Sequence, residues 1–166
     1  MKGKVIVFTG DGKGKTTAAI GTAIRAIGYG KKVVMIQFLK KGEYGEIRFK
    51  NKDFKIYQFG RREFVIEPMQ EDYYLAEKAI KFAEEILIEE KPFLLILDEV
   101  NVALSMELIK EKDLLSLLKK RKDSHIILTG RNASKNIIKI ADLVTEMKKI
   151  KHYYDTGIKA IEGLEY

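Results

Sequence analysis

Short continuous apolar runs alternate with longer amphipathic stretches along the chain. The runs predict strands at residues 4–9, 32–38, 93–97, 125–129 and 143–147. The intervening periodicity predicts helices at residues 15–28, 73–90, 113–121 and 134–141. Residues 39–70 are irregular apart from a short strand-like run at 54–59, and residues 150–166 give no clear assignment.

Strands that are apolar on both faces and alternate with helices indicate a mainly parallel sheet with helices on both faces. The pattern therefore predicts an α/β fold, and the absence of a linker or repeat predicts one domain spanning residues 1–166. The predicted helices at 73–90 and 113–121 each have a stripe of apolar residues that we expect to face the core. Ser134 is placed to cap the predicted helix at 134–141. The expected inward residues are Ala76, Ala79, Ile80, Ala83, Ile86 and Leu87 in the first, and Leu114, Leu115 and Leu118 in the second.

A glycine-rich loop lies between the first predicted strand and the first predicted helix. Backbone N–H groups of such a loop bind phosphate oxygens, a lysine adds positive charge, and a following threonine offers a hydroxyl to Mg²⁺. A lysine-rich turn before an ordinary helix is the alternative, and the flanking strand and helix argue against it. The predicted phosphate-binding residues are Thr9, Gly10, Asp11, Gly12, Lys13, Gly14, Lys15, Thr16 and Thr17.

Charged side chains follow two other predicted strands. Asp98 and Glu99 end the apolar run at 93–97. In proteins with a phosphate-binding loop, a carboxylate at such a strand end faces the nucleotide and holds Mg²⁺ directly or through water. Glu99 alone fits three roles: a base that activates water, a magnesium ligand, or a ribose contact. Arg131 follows the strand at 125–129, and the sequence leaves open a phosphate contact or a solvated turn.

The composition limits the classes of function. The 166 residues include no cysteine, which excludes disulfides and thiolate metal sites, and only His125 and His152, for which we expect structural or surface roles. No signal peptide and no membrane-spanning run is recognisable, so we expect a soluble cytoplasmic protein. The net charge of +7 suits an anionic ligand. Nucleic acid is not expected, because the basic run at 119–122 has no aromatic platform beside it.

These residues together resemble the ATP:corrinoid adenosyltransferases that carry a phosphate-binding loop (P-loop) and act on cob(I)alamin or cob(I)yrinic acid a,c-diamide. The similarity extends almost from end to end, and the first and last blocks are the most specific. The matching blocks are residues 9–19, 25–31, 34–40, 97–101, 129–131, 141–147 and 151–166.

The resemblance implies a RecA-like P-loop fold and transfer of the 5′-deoxyadenosyl group from ATP to Co(I), with release of triphosphate. ATP is then a co-substrate, the corrinoid a substrate and Mg²⁺ a cofactor; a flavoprotein reductant and a homodimer are further expectations. The implied site residues are Lys15, Arg131 and Glu99 for catalysis, the loop residues and Arg25 for ATP, Thr16 and Asp98 for Mg²⁺, and Phe64 for the corrinoid. The chain has no tryptophan at the place where the family adds one beside that phenylalanine.

Two other functions remain open at this point. A P-loop kinase or hydrolase acting on another small molecule would release ADP instead of triphosphate. A nucleic-acid-dependent ATPase would be stimulated by DNA or RNA and would lose binding steeply with salt.

Overall fold

The computed structural model describes residues 2–166. These residues form six strands and six helices, which alternate except that the fourth and fifth helices follow one another, and a 3₁₀ turn at Tyr153–Thr156 comes last. The strands are β1 Val5–Thr9, β2 Val33–Phe38, β3 Phe54–Phe59, β4 Leu94–Asp98, β5 His125–Thr129 and β6 Leu143–Glu146. The helices are α1 Lys15–Gly28, α2 Gly45–Arg48, α3 Gln70–Glu89, α4 Val100–Ser105, α5 Glu111–Lys119 and α6 Lys135–Ile140.

All strands belong to one parallel sheet in the order β3-β2-β4-β5-β1-β6. Helix α1 covers one face, where Ala19, Ala23 and Ala26 pack on Met35 and Ile96. Helices α3, α4, α5 and α6 contribute to a larger apolar core on the other face. The predicted α/β fold with helices on both faces of a parallel sheet is confirmed.

Most predicted elements appear within three residues of their expected ends, with two omissions and one correction. Helices α2 and α4 were not predicted; both are short, with four and six residues, and carry too few turns to show a periodic pattern. In α5 the buried partner of Leu114 and Leu118 is Leu117, and the predicted Leu115 is only half-buried. The predicted last strand is present as β6, which lies at one edge of the sheet with all four of its residues exposed.

Helix α3 begins at Gln70, three residues before the predicted start, because an ion pair organises its first turn. The buried Asp72 carboxylate accepts two hydrogen bonds from Arg61, at 2.8 and 2.9 Å, and one from the Met69 backbone N–H at 2.8 Å. An acidic residue in the first turn also suits the helix dipole. The pair fastens the irregular segment at 60–69 to the helix.

The carboxyl ends of all six strands meet at one edge, which is where ligands bind in open parallel sheets. The loops after β1, β2, β4 and β5 therefore converge. Among residues 2–166, no helix combines the length and apolarity needed to cross a bilayer.

We predict that Asp72→Asn lowers the free energy of unfolding by about 1–3 kcal/mol, because a charge-assisted pair with Arg61 is lost. The Arg61 guanidinium holds the pKa of Asp72 below its ordinary value. The stabilisation of the fold by the Arg61–Asp72 pair is therefore fully present above the ordinary carboxyl pKa, and it disappears as the pH falls through the pKa of Asp72 in the folded protein. Urea unfolding between pH 2 and pH 7 measures this difference. The matched control is Glu77→Gln at an exposed position of the same helix, and an equal loss in both variants would contradict the assignment.

Candidate active site

The phosphate-binding loop lies between β1 and α1 and is built on left-handed glycines. Gly10 and Gly14 have φ angles of 98° and 115°, which side chains other than glycine rarely adopt. Gly14 is the N-cap residue of α1, so the first helical N–H groups open toward the loop. Thr9, where the usual motif has a glycine, ends β1, and its hydroxyl oxygen accepts a bond from the Ala133 N–H at 3.2 Å.

Two loop glycines are required by a protein contact in addition to any ligand. The backbone of Met147, just after β6, accepts a hydrogen bond from Gly12 N–H at 2.6 Å and donates one to Thr9 at 2.8 Å. A Cβ atom on Gly10 or Gly12 would lie only 2.5 or 2.7 Å from the Met147 carbonyl oxygen. The edge strand therefore supports the outer side of the loop.

Lys15 and Lys13 occupy different environments in this loop. The Lys15 ammonium is buried and donates to the Gly12 carbonyl at 2.7 Å. Burial lowers the pKa of Lys15, although the nearby Glu99 carboxylate opposes that change. The Lys13 ammonium instead donates to the Leu164 carbonyl at 2.6 Å. The hydrogen-bond partner of the Lys15 ammonium is a neutral carbonyl. A polyphosphate bound in the loop would give this ammonium a negatively charged partner.

Asp98, at the end of β4, is fully buried and accepts hydrogen bonds on both oxygens. Its Oδ1 accepts from the hydroxyls of Thr16 at 2.7 Å and Thr129 at 2.6 Å. Its Oδ2 accepts from the Lys40 ammonium at 2.8 Å. The carboxylate thus joins the phosphate loop to the ends of β2 and β5.

Glu99 follows in a left-handed conformation, with φ 62°, and its N–H donates to the Thr129 hydroxyl at 2.9 Å. This turn aims the side chain away from the sheet and into the site. Burial, followed by repulsion from Asp98, raises the pKa of Glu99, while Lys40 and Lys15 oppose the rise. A carboxyl group so perturbed at a strand end is typical of a functional position.

A second polar network continues from Asp98 toward β3. Gln37 donates to Glu46 at 2.8 Å and lies 3.5 Å from Asp98 Oδ2. Gln58 donates to Gln37 at 3.0 Å and accepts from the Gly42 N–H at 3.2 Å. These bonds order the 39–46 segment, which the sequence had left without structure.

Three adjoining cavities meet at Lys15. We call them the cleft, of about 520 Å³, the apolar cavity, of about 390 Å³, and the outer basin, of about 630 Å³. Each has the size of a small-molecule site, roughly 300–1,000 Å³. Characteristic linings are Thr16, Thr17, Ile20, Phe49, Leu164 and Tyr166 for the cleft; Leu39, Phe64, Val65, Val102 and Met106 for the apolar cavity; Asp11, Arg131, Lys149 and His152 for the outer basin.

Two predicted residues project into this region from loops. Phe64 is 91% exposed and borders both the apolar cavity and the outer basin, so it is not part of a core beneath its loop. Arg131 borders the same two cavities, with its Nε 3.7 Å from Asp11 in an exposed pair that contributes little stability. Both side chains are free to reorient toward a ligand.

Arg25 is the predicted site residue that lies apart from the others. It is exposed, ten residues beyond Lys15 on α1, which corresponds to about 15 Å along the helix axis. Among the described residues, the linings of the three cavities do not include it. Its contact with ATP stays a prediction.

The oxygen groups near Lys15 fit Mg²⁺ in part. The Thr16 hydroxyl donates its hydrogen bond to Asp98, which leaves the lone pairs of its oxygen for a metal. The Glu99 carboxylate borders the cleft. Asp98 itself is occupied by Thr16, Thr129 and Lys40. No group of three or more His, Cys, Asp or Glu within residues 2–166 is arranged as a metal centre. A magnesium ion here would therefore need phosphate and water as its remaining ligands.

The C-terminal segment is part of the site, which its sequence pattern alone did not indicate. Besides the Lys13 bond to Leu164, Glu165 accepts a hydrogen bond from the Tyr153 hydroxyl and lies 3.9 Å from the Lys13 ammonium. Leu164 and Tyr166 form one wall of the cleft. No periodic signal marks this tail, and only the resemblance of its residues to a family pointed to it.

The profile of the family ATP:corrinoid adenosyltransferase BtuR/CobO/CobP matches residues 1–166, the whole chain. The chain belongs to this family. It is similar to the corrinoid adenosyltransferase of a Sinorhizobium species, with 39% identity over 99% of this chain and 81% of that protein. Corrinoid adenosyltransferases of Escherichia coli K12 and Salmonella typhimurium LT2 are 33% and 32% identical, over 99% of this chain and 86% of each relative. The loop and the C-terminal wall therefore belong to a chain of the adenosyltransferase family.

We predict that Glu99→Gln stabilises this adenosyltransferase at pH 7 in the absence of metal and nucleotide. Because the native pKa of Glu99 is raised, its ionised form destabilises the fold above the ordinary carboxyl pKa, and that cost is absent below it. The gain in free energy of unfolding should thus vanish as the pH falls below about 4. Chemical unfolding in EDTA checks this against Glu85→Gln, an exposed control. A variant less stable than wild type at pH 7 would contradict it.

Proposed function

We propose that this protein transfers the 5′-deoxyadenosyl group of ATP to the Co(I) centre of a reduced corrinoid, releasing triphosphate, in adenosylcobalamin synthesis or corrinoid salvage. Membership of the adenosyltransferase family over the whole chain supports the assignment. The names of the relatives support a corrinoid as the acceptor.

The observation that carries the proposal is the meeting of two different cavities at one group of side chains. The cleft has the phosphate-binding loop along it, and the neighbouring cavity is apolar and bordered by an exposed phenylalanine, Phe64. Lys15 and Glu99 border both. A nucleotide in one cavity and a large apolar-faced acceptor against the other would have their reacting atoms near these residues.

The chemistry needs positioning and charge stabilisation more than an acid or base. Co(I) supplies the electron pair that forms the cobalt–carbon bond at C5′, and the C5′–O bond breaks with its electrons going to triphosphate. The chain has no cysteine. The Nδ1 atoms of His125 and His152 already accept bonds from the N–H groups of Lys4 and Tyr154, both at 3.1 Å. These features agree with a reaction in which the nucleophile comes with the substrate.

Most of the predicted site residues then have a task in this reaction. The loop residues from Thr9 to Thr17 bind the phosphates, Lys15 stabilises the leaving charge, and Arg131 turns from Asp11 toward the phosphates. We propose Mg²⁺ at Thr16, with Asp98 orienting that hydroxyl; the metal would neutralise part of the polyphosphate charge. Glu99 contacts the metal or the ribose.

Other components follow from the reaction and from the surface. Co(I) must be produced by an external reductant, for which we propose a flavoprotein, and we place the enzyme in the cytoplasm with its ATP supply. We also propose a homodimer. The edge strand β6 and the end of α6 leave four apolar side chains between 39 and 48% exposed, which supports a protein contact there: Ile138, Ile140, Leu143 and Val144.

Anaerobic incubation with ATP, Mg²⁺ and chemically reduced cobalamin tests the proposed function. We expect triphosphate and a light-sensitive organocobalt product in equal amounts, each dependent on both substrates. ADP as the main nucleotide product, formed whether or not corrinoid is present, would assign the chain to the kinases or ATPases instead. Stimulation by DNA or RNA would support the nucleic-acid alternative.

We predict that Lys15→Ala lowers kcat/KM for adenosyl transfer by at least about 100-fold, since the leaving triphosphate loses a preorganised cation. Steady-state assays with reduced cobalamin measure the loss. Lys112→Ala, an exposed position on α5, is the charge-matched control and should retain the wild-type rate. A Lys15 variant that kept most of its activity would remove the phosphate loop from the mechanism.

We predict that Phe64→Ala raises KM for the corrinoid about 3- to 10-fold, because one aromatic contact is removed from a face of the substrate. The affinity for ATP, measured by calorimetry, should not change. Ile66→Ala is the control, since Ile66 is 83% exposed in the same segment but does not border the cavities. Equal losses for both substrates would indicate that the loop, and not a corrinoid contact, had been damaged.

A further inference from the structure

Lys40 lies just beyond β2 and has no role in the function proposed so far. Its side chain borders both the cleft and the apolar cavity. Among the lysines and arginines of residues 2–166, only Lys15 shares that position. The side chain is 20% exposed, so the ammonium is enclosed but can still be reached from the cavities.

The ammonium of Lys40 is a fixed cation in the site. It donates one hydrogen bond to Asp98 at 2.8 Å, and a lysine ammonium has three donors. Burial alone would lower the pKa of Lys40, but the Asp98 and Glu99 carboxylates outweigh that effect and raise it. Two donors therefore remain for a ligand without breaking the bond to Asp98.

The backbone on either side of Lys40 is strained and closely packed. Leu39 adopts φ 59°, a left-handed conformation that is strained for a leucine. Its N–H donates to the Phe59 carbonyl at 3.0 Å. A Cβ atom on Gly60 would lie 2.2 Å from the Lys40 backbone nitrogen. A strained leucine and a closely packed glycine therefore set the backbone position from which the Lys40 side chain extends.

The other cations near the loop border at most one of these two cavities. Lys13 is bonded to the Leu164 carbonyl at 2.6 Å and borders the cleft without reaching the apolar cavity. Arg131 borders that cavity but not the cleft. Lys15 and Lys40 border both cavities, so a triphosphate that leaves from the junction of the two cavities lies near both ammonium groups.

We propose that Lys40 is a second phosphate-binding cation, whose ammonium contacts the triphosphate of ATP and stabilises it as it leaves, while Asp98 holds the ammonium in place. This assignment deepens the proposed function and rests on it in one respect, namely that triphosphate is the leaving group. Contact with the polyphosphate does not depend on which bond of ATP is broken.

Equilibrium binding of inorganic tripolyphosphate and of adenosine, by calorimetry, tests the contact directly. Lys40→Met should weaken tripolyphosphate binding about 10- to 100-fold, the usual effect of losing a charge-assisted hydrogen bond, and leave adenosine binding unchanged. Lys40→Gln can still donate to Asp98 without the charge, so it serves if the methionine variant does not fold, with the same expected result. Lys40→Arg should restore part of the affinity. Unchanged tripolyphosphate affinity in a folded Lys40→Met or Lys40→Gln variant overturns the proposal.

Gly60→Ala tests the placement of Lys40 without changing that residue. The added methyl group must displace the backbone at 39–40, so tripolyphosphate binding should fall at least about 5-fold with adenosine binding retained. Gly28→Ala, where a Cβ atom meets nothing within 4 Å, is the control. Wild-type tripolyphosphate affinity in a folded Gly60→Ala variant counts against the proposal.

The two levels of the account fail separately. If the wild-type protein forms ADP and ignores corrinoid while Lys40→Met still loses tripolyphosphate affinity, the proposed function is wrong and the phosphate contact stands. If the wild-type protein makes the organocobalt product while Lys40→Met and Lys40→Gln bind tripolyphosphate normally, the function stands and the role of Lys40 is wrong.

Discussion

The buried carboxylate of Asp98 is the interaction on which the arrangement of the site depends. A fully buried charge is costly unless it is paired and hydrogen-bonded, and here Thr16, Thr129 and Lys40 supply the bonds. These three partners come from the phosphate loop, β5 and the segment after β2. One charge therefore fixes the relative positions of the hydroxyl offered to a metal, the Glu99 turn and a second cation.

The residues whose place in the fold could be predicted from the sequence are those whose partners are local or are brought together by sheet geometry. The loop from Thr9 to Thr17 lies between a strand and a helix, and that context alone indicates phosphate binding. Asp98 and Glu99 end a buried parallel strand, and parallel strands place their ends at one edge. The parallel sheet followed from runs of apolar residues on both strand faces. The functional roles of these residues remain predictions.

The features that the sequence pattern left out depend on contacts between distant segments. Lys40 meets a carboxylate 58 residues away, and Lys13 meets the Leu164 carbonyl 151 residues away. Neither contact leaves a periodic trace in the sequence. The earlier start of α3 likewise depends on Arg61, eleven residues before Asp72. The sequence explains Gly10 and Gly12 by the close approach of a phosphate. The structure shows that a side chain at either position would also collide with the Met147 backbone.

The bond that breaks in ATP is the central claim of this account, and isotope labelling measures it most directly. ATP carrying ¹⁸O at the oxygen between C5′ and the α-phosphorus is incubated with the enzyme, Mg²⁺ and reduced corrinoid, and the products are analysed by mass spectrometry. Cleavage of the carbon–oxygen bond predicts that all of the label is recovered in triphosphate. Label recovered in ADP, AMP or adenosine would show cleavage at phosphorus and would contradict adenosyl transfer.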